Sequence, residues 1–217
     1  MGTITAQDLF DDAAEILQDT DFVRWTKPKM LRWLNAGQRE VVIGDPKANT
    51  ANTVVQLTAG TKQVLPDGGL ALIDVTRNMG ADKATPGRVP TFIARSVIDA
   101  QNPNWHKDSV SAVALHVIYD QRDKKHFYVY PPQPVSNPGS LELIYSAAPL
   151  PVATEDNSIT LDDIYANALV NYLLYRAYNL DPVSIAKSSA YYQAFLMLVL
   201  GKEKTDKTVQ PSAQTEG

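Results

Sequence analysis

The chain of 217 residues is 44% hydrophobic, which is enough to bury a sizeable core in one large domain or two small ones. Its net charge of −4 argues against a dedicated nucleic-acid-binding protein, because neutralising phosphates requires an excess of Lys and Arg. The absence of cysteine excludes disulfides, thiol chemistry and cysteine-ligated metal sites.

The first residues, MGTITAQDLF, lack the basic region and apolar run of a signal peptide. No apolar run approaches the roughly 20 residues that a membrane-spanning helix requires. We therefore expect a protein that stays in the cytosol or is released by lysis.

Two helices are predicted at the start of the chain. Thr5 and Asp8 have the spacing of a capping box, and apolar residues at helical spacing follow them. A second helix begins near Lys27-Pro28, because proline suits the first helical position. Gly44-Asp45-Pro46 ends it.

The pattern changes to strands at about Thr50. Alternation and richness in Val, Thr and aromatic residues predict six strands, at 52–58, 61–65, 70–75, 110–119, 127–130 and 141–145. Residues 77–90 are predicted to form an exposed loop, and residues 95–100 a short helix. Pro131-Pro132 is expected to stop the fifth strand.

A helical hairpin is predicted between residues 159 and 202. Its first helix has Thr160 as N-cap and Ile164 at the start of its apolar stripe. Asp181-Pro182 breaks the pattern, a second helix runs from about residue 183 to 200, and Gly201 stops it. The hairpin is too apolar to stand alone, so it must pack on the N-terminal helices.

This order of elements predicts an α+β fold. Residues 1–50 and 155–201 would form a bundle of about four helices, and residues 51–154 an inserted antiparallel β lobe. The last residues, 202–217, carry almost no apolar surface, so we expect an extended tail that is ordered only by a partner.

No catalytic, cofactor-binding or metal-binding residues are predicted. The three histidines, His106, His116 and His126, show no metal-binding spacing such as HxH or HExxH. The neighbouring acids Asp11-Asp12 and Asp162-Asp163 cannot face each other on a helix, so helix capping and solvation explain them better. No nucleophile elbow, phosphate loop or dinucleotide fingerprint occurs. We therefore do not expect an enzyme.

Aromatic residues suggest contacts instead. An aromatic stripe is usually core or subunit contact, and we favour contact for part of the set Tyr172, Tyr175, Tyr178 and Tyr191. Arg176 lies among apolar residues and needs a carboxylate or carbonyl partner. Trp105 is interpreted as an anchor that ties its loop to the sheet.

Five segments together resemble one protein family. They are WLNAGQREVV (33–42), LTAGTKQVLPDGG (57–69), DVTRN (74–78), FYVYPP (127–132) and IYANALVNYLLYRAY (164–178). With them the chain, from about Leu9 to Leu200, resembles a head-to-tail adaptor, or connector, protein of tailed bacteriophages.

This resemblance implies a virion protein at the head-tail junction, assembled in the host cytoplasm. Twelve copies would form a ring beneath the portal protein, which would dock the tail tube or nozzle protein and let genomic DNA pass during ejection. A net charge of −4 suits such a channel, because like charge prevents DNA from adsorbing. No cofactor, specific DNA contact or membrane is implied.

The tail is the predicted portal contact. Its backbone would add a strand to an exposed sheet edge of the portal, and Pro211 would end that strand. The predicted contact residues are Lys202, Lys204, Asp206, Lys207, Val209 and Pro211.

Two other functions remain open from the sequence. The β lobe of a tail-fibre or tail-spike attachment module would bind another protein or a glycan through its exposed loops. A virion-associated hydrolase has the least support, because no pair of acids or histidines falls at a useful spacing.

Overall fold

The computed structural model describes residues 2–180 and 184–209, with side chains described as far as residue 201. The chain divides into two compact units. A helical unit contains residues 1–49 and 149–217, and a β unit contains residues 50–148. The predicted α+β fold, with helices and a β lobe, is confirmed.

Four α-helices lie in the described part of the helical unit. They are α1 (Ala6–Leu17), α2 (Lys27–Gly44), α4 (Ala166–Tyr178) and α5 (Ile185–Val209). The predicted capping box starts α1, since the Thr5 hydroxyl accepts from the Asp8 backbone N–H and the Asp8 carboxylate accepts from Thr5. Proline lies in the first turn of α2, as predicted. The helix α4 packs against the other three, so the C-terminal part of the chain is held by the N-terminal part.

Two amide side chains of α2, the partly buried Asn35 and the buried Gln38, bind the returning chain. The Asn35 side-chain amide donates to the Val152 carbonyl oxygen at 2.9 Å and accepts from the Val152 N–H at 2.8 Å. The Gln38 carbonyl oxygen accepts from the backbone N–H of Thr160 at 2.8 Å. These bonds satisfy backbone groups where residues 150–161 cross the helices without regular structure.

Gly37 lies between these two amides and allows a close approach of helices. A Cβ atom at this position would lie 2.9 Å from Cδ1 of Tyr172 and 3.3 Å from Cδ2 of Leu169. Any side chain here would therefore push α4 away from α2. The segment at 33–42 therefore has a structural role. Through Asn35, Gly37 and Gln38 it binds α4 and the chain that leads to α4.

The β unit contains seven strands in two sheets. The first sheet has the order β1 (Thr50–Gln56), β7 (Ser140–Ala147), β3 (Gly69–Met79) and is antiparallel. The second has the order β2 (Gly60–Val64), β6 (His126–Gln133), β5 (His116–Tyr119), β4 (Thr91–Phe92). Its last pair, β4 with β5, is parallel. Side chains of both sheets share one core, which includes Leu72, Val75, Val129, Leu143 and Tyr145.

Trp105 is the predicted anchor of its loop. It lies beyond the short helix α3 (Arg95–Gln101) and is 1% exposed. Its indole N–H donates to the Asp99 carboxylate at 2.8 Å, and its ring meets Tyr128 and Tyr130 of β6 edge-on. The Asp99 pKa is lowered, chiefly by this hydrogen bond.

Two predictions about the strands are wrong. Residues 110–115 do not form a strand, because side chains bind backbone N–H groups in this segment. The Asn78 side chain accepts from the Ala114 N–H at 2.8 Å, and the Ser111 hydroxyl accepts from the Val113 N–H at 3.0 Å. Pro131-Pro132 does not stop β6, which continues to Gln133. A proline keeps its carbonyl acceptor, and that of Pro132 accepts from the Ser111 N–H at 2.9 Å.

The start of the predicted hairpin also differs from the structure. Thr160 is not an N-cap, because its hydroxyl donates to the Leu150 carbonyl oxygen at 2.6 Å. The cap is Asp162, which begins a 3₁₀ turn (Asp163–Tyr165) that leads into α4. Ile164 is 60% exposed rather than part of the apolar face, because the 3₁₀ turn shifts it out of phase with α4.

The end of the hairpin extends beyond its predicted stop. The helix α5 continues through Gly201 to Val209, so residues 202–209 are helical rather than extended. A single glycine lowers helix stability by only about 1 kcal/mol, and the Lys and Glu residues that follow are good helix formers. The other predicted tail residues, 210–217, lie outside the described residues.

Candidate interaction surfaces

The histidines of the β unit are held by neighbouring side chains. Nδ1 of His106 forms a hydrogen bond with the Thr61 hydroxyl at 2.8 Å, and its ring stacks on Trp105. Nδ1 of His116 bonds the Thr91 hydroxyl, and that of His126 the Asp123 carboxylate. Within the described part of the chain, no three His, Asp or Glu side chains are placed to hold a metal ion.

The acids of the pair Asp162-Asp163 accept hydrogen bonds from backbone N–H groups. The Asp163 carboxylate accepts from the Thr3 N–H at 2.7 Å, the Thr3 hydroxyl at 2.6 Å and the Ile4 N–H at 3.0 Å. The bond from the Thr3 hydroxyl is the main reason that the Asp163 pKa is lowered. The pair therefore holds the N-terminal segment against the start of α4, and its geometry is not that of a general acid and base.

The predicted contact tyrosines join α4 to α5 within one chain. The rings of Tyr178 and Tyr191 stack with centroids 5.5 Å apart, and Tyr175 lies 4.7 Å from Tyr192. Tyr172 is 4% exposed, so it is core and has too little free surface for a subunit contact. Tyr175, Tyr178 and Tyr191 are half-buried, and subunit contact stays a prediction for them.

Cations gather on two tryptophans at the start of α2. The Lys29 ammonium lies 4.6 Å from the centroid of Trp25 and 5.3 Å from that of Trp33. The Arg24 guanidinium lies 4.9 Å from the Trp25 centroid, and that of Arg176 lies 5.9 Å from the Trp33 centroid. We call these five residues the cation–tryptophan cluster.

Arg176 has no carboxylate or carbonyl partner among the described residues, contrary to prediction. It donates instead to the Tyr172 hydroxyl at 3.2 Å and lies over aromatic rings, which attract cations. Burial raises the pKa of Tyr172, and the bond from Arg176 opposes that rise.

The loop before α2 is fixed by one carboxylate. Asp19 accepts the backbone N–H groups of Val23, Arg24 and Trp25 at 2.9, 3.0 and 2.8 Å. Burial raises the Asp19 pKa, but these three bonds outweigh it and leave the pKa lowered. The loop therefore holds Arg24 and Trp25 in place beside α2.

A groove of about 360 Å³ runs beside α1, which we call the α1 groove. Asp12 and Glu15 of α1 form its acidic rim. Apolar groups form its floor, among them Ile16, which is 48% exposed, and the predicted contact residue Tyr191. Asn167, Val170, Asn171 and Leu174 of α4 complete the lining.

The predicted portal-contact residues lie at the end of α5. The backbone from Lys202 to Val209 is helical, so its N–H groups are used within the helix and cannot pair with a strand edge. Strand addition by residues 204–208 would require this part of α5 to unfold, and it stays a prediction. Pro211 lies outside the described residues.

Comparison with protein-family models identifies the family of the chain. The model of the SU10 adaptor protein family matches residues 4–214, which is nearly the whole chain. The chain belongs to the SU10 adaptor protein family. A search of curated proteins found no match. The resemblance to a head-to-tail adaptor of tailed phages is thereby confirmed.

Membership in the adaptor family makes the chain a structural component of a phage virion. No helix in the described part of this adaptor is long and apolar enough to cross a bilayer.

Sequence reasoning missed both surfaces at α1 and α2, although the first forty residues carry the signal. Residues 1–23 contain no Lys or Arg, and their acids are Asp8, Asp11, Asp12, Glu15, Asp19 and Asp21. Residues 24–39 contain no Asp or Glu, and their bases are Arg24, Lys27, Lys29, Arg32 and Arg39. Such complete segregation of charge, in a chain of mixed composition, marks two surfaces of opposite sign.

Proposed function

We propose that copies of this adaptor, twelve in number, form a ring beneath the portal that joins the phage head to the tail and lets DNA pass. The observation that carries the proposal is the family match over residues 4–214. The ring would assemble in the host cytoplasm and present a docking surface to the tail tube or nozzle protein. Single copies would be monomeric or weakly associated until they meet the portal.

The C-terminal part of α5 is the proposed portal contact. Phe195 and Val199 of α5 are each 1% exposed, but neighbouring apolar side chains of the helix are exposed to solvent. Met197 is 74%, Leu198 36% and Leu200 41% exposed. The helix then continues for residues 202–209. Apolar side chains on a projecting helix fit a groove in a partner, in the way that an amphipathic helix binds. The proposed contact is therefore made by a helix instead of an added strand.

Passage of DNA requires a channel to which DNA does not adhere. The formal charge of −4 supports this role, since like charge keeps the duplex from adsorbing. No base-reading contact is required, and the adaptor's part in genome ejection would be structural.

The test is reconstitution with the portal protein of the same phage. We expect native mass spectrometry to detect twelve adaptor copies on each portal ring, and a stable ring without portal at micromolar concentration would contradict the assembly order. Removing residues 203–217 should leave the thermal midpoint of the adaptor unchanged and weaken its binding to portal. A matched control is Thr58→Ala, an exposed change in the β unit, which should load like the unaltered chain.

One other outcome would favour a different function. If the adaptor binds a fibre or spike protein and ignores the portal, the ring proposal fails. The chain would then be an attachment module that acts through the loops of its β unit.

A further inference from the structure

The cation–tryptophan cluster concentrates like charge on one side of the helical unit. Lys29 and Arg176 have no carboxylate within ion-pair distance among the described residues, and the same holds for the exposed Arg32, one turn further along α2. Aromatic faces attract Lys29 and Arg176 but carry no net charge, so they do not neutralise these cations. The two tryptophans are each 6% exposed, so the surface offers a partner mainly positive charge, and a partner with negative charge would complement it.

The α1 groove has the complementary character. Asp8, Asp11, Asp12 and Glu15 follow one another at spacings of three, one and three residues, which places them along one side of α1. Asp8 is used in the capping box and Asp11 accepts from Gln7, so Asp12 and Glu15 are the acids that face the groove. Between them and Tyr191 the exposed side chain of Ile16 provides apolar surface.

The two surfaces lie on opposite sides of α4. Asn167, Asn171 and Leu174 of α4 line the groove, whereas Tyr172 and Arg176 of α4 lie at the cluster. At about 100° per residue, the groove positions and the cluster positions are centred about 150° apart around the helix. One copy therefore cannot bring its own cluster to its own groove, but a second copy can.

We infer that the cation–tryptophan cluster of one adaptor copy docks at the α1 groove of the next. Two different surfaces on opposite sides of one unit make a heterologous contact, which repeats from copy to copy and closes into a ring when the rotation permits. The inference rests on the proposed ring and names the surfaces that its subunits use. Lys29 of the cluster and Arg32, which lies next to the cluster on α2, face Asp12 and Glu15 of the neighbour.

A second copy fits the cluster better than DNA does. The groove supplies carboxylates, which the ammonium group of Lys29 and the guanidinium group of Arg32 match in charge. A duplex would instead be repelled by the net charge of −4 that the whole chain carries. The contact uses exposed charges, so it is weak between two free copies, salt-sensitive, and effective where the portal gathers many copies.

A disulfide trap tests the contact on the full chain without portal. The adaptor has no cysteine, so Glu15→Cys in one sample and Arg32→Cys in another introduce the sole thiols. Both positions are exposed, and their circular dichroism should equal that of the unaltered chain. After mixing and mild oxidation at low salt, we expect the mixed dimer to exceed its statistical share over the two homodimers by about fivefold.

The matched control replaces the groove position with an exposed position on α5. Gln193→Cys mixed with Arg32→Cys should give the statistical share. The excess with Glu15→Cys should disappear at about 1 M salt, where the Debye length is about 3 Å. If Glu15→Cys mixed with Arg32→Cys also gives only the statistical share of mixed dimer, the inference is overturned, whether or not the chain binds the portal.

Charge reversal on the portal separates the inference from the proposed function. Lys29→Glu with Arg32→Glu should reduce the copies bound per portal at least tenfold at limiting concentration. Adding Asp12→Lys and Glu15→Lys to the same chain should restore them, because each contact again joins opposite charges. If the unaltered chain loads on portal and the reversed cluster loads equally well, the inference fails and the ring stands; if the unaltered chain does not load, the ring fails.

Binding to DNA is the remaining outcome, and it too decides. Fluorescence anisotropy with a labelled duplex measures it directly. The inference is overturned if the unaltered chain binds the duplex, the variant with Lys29→Glu and Arg32→Glu does not, and the disulfide share is statistical. The cluster would then be a contact for phosphates.

Discussion

Replacing Asn35 with alanine tests how the helical unit is assembled. The Asn35 amide forms two hydrogen bonds with the backbone of Val152, at 2.9 and 2.8 Å, across a separation of 117 residues. Alanine keeps the helix α2, because it is the best helix former. It leaves the N–H and the carbonyl oxygen of Val152 without their partners, and Val152 lies in no strand or helix that could replace them.

The expected loss of stability follows from these two bonds. A hydrogen bond contributes about 0.5–1.5 kcal/mol net, and a buried group left unpaired costs about 1–3 kcal/mol. Val152 is 5% exposed, so water cannot easily replace the lost partners. We therefore expect Asn35→Ala to lower the free energy of unfolding by about 2–3 kcal/mol, which corresponds to a thermal midpoint about 4–12 °C lower for a chain of this size.

Two measurements check this expectation. Urea unfolding followed by circular dichroism gives the change in free energy, and amide hydrogen exchange gives the protection of the Val152 N–H. Gln193→Ala, an exposed amide on α5, is the control and should change stability by less than about 0.5 kcal/mol. A similarly small change for Asn35→Ala, with Val152 still protected, would refute the argument that side-chain amides hold the returning chain.

Three further predictions concern single positions. Gly37→Ala should destabilise the chain by about 1–3 kcal/mol in urea unfolding, because its Cβ would overlap the facing tyrosine, and equal or greater stability would contradict this. Trp105→Phe removes the indole N–H that holds the Asp99 pKa down, so NMR titration should find that pKa raised toward its ordinary value, and an unchanged pKa would show that the bond is absent. The Asp82 pKa is lowered from 3.8 to about 2, chiefly by the Thr85 hydroxyl, so the stabilising effect of the charged form is complete above pH 3.8 and is lost as pH falls toward 2. Thr85→Val should raise the Asp82 pKa in the same NMR titration, and no rise would assign the shift to the backbone N–H groups alone.

Much of the fold could be predicted because its signals are local. Thr5 with Asp8, and the proline at residue 28, start α1 and α2 by interactions within one turn of each helix. The strands β1, β2 and β7 follow from alternation between turns. These patterns depend only on neighbours in sequence, so tertiary contacts did not have to be known.

The failures occur where distant groups decide the local structure. Asn78 accepts a hydrogen bond from the Ala114 N–H across 36 residues. The strand β5 therefore begins only at His116, whereas alternation alone predicts a strand from residue 110. Thr160 is drawn away from a capping role by the carbonyl of Leu150. At Gly201 the error was different in kind, because a weak helix breaker was given more weight than the good helix formers on both sides.

The interaction surfaces were the least predictable part of the chain. Subunit contact was predicted for tyrosines of α4, and the ring contacts of Tyr175 and Tyr178 that the structure shows are made with α5 of the same chain. The cation–tryptophan cluster depends on Arg176 meeting Trp33, which are 143 positions apart in sequence, and no local pattern reports such a meeting. Only the segregation of charge between residues 1–23 and 24–39 was visible in advance.

The family likeness and the proposed assembly depend on different residues. In the segment at 33–42, Asn35, Gly37 and Gln38 bind the returning chain and seat α4, so this motif reports how the helical unit folds. It does not report what the unit touches, because a side chain that is committed to its own core has no surface left for a partner. Surfaces for partners must come from residues that the fold leaves exposed, as Glu15 and Arg32 are. An adaptor can therefore keep its fold through a few amide side chains and a glycine, while exposed charges would set which copy it meets.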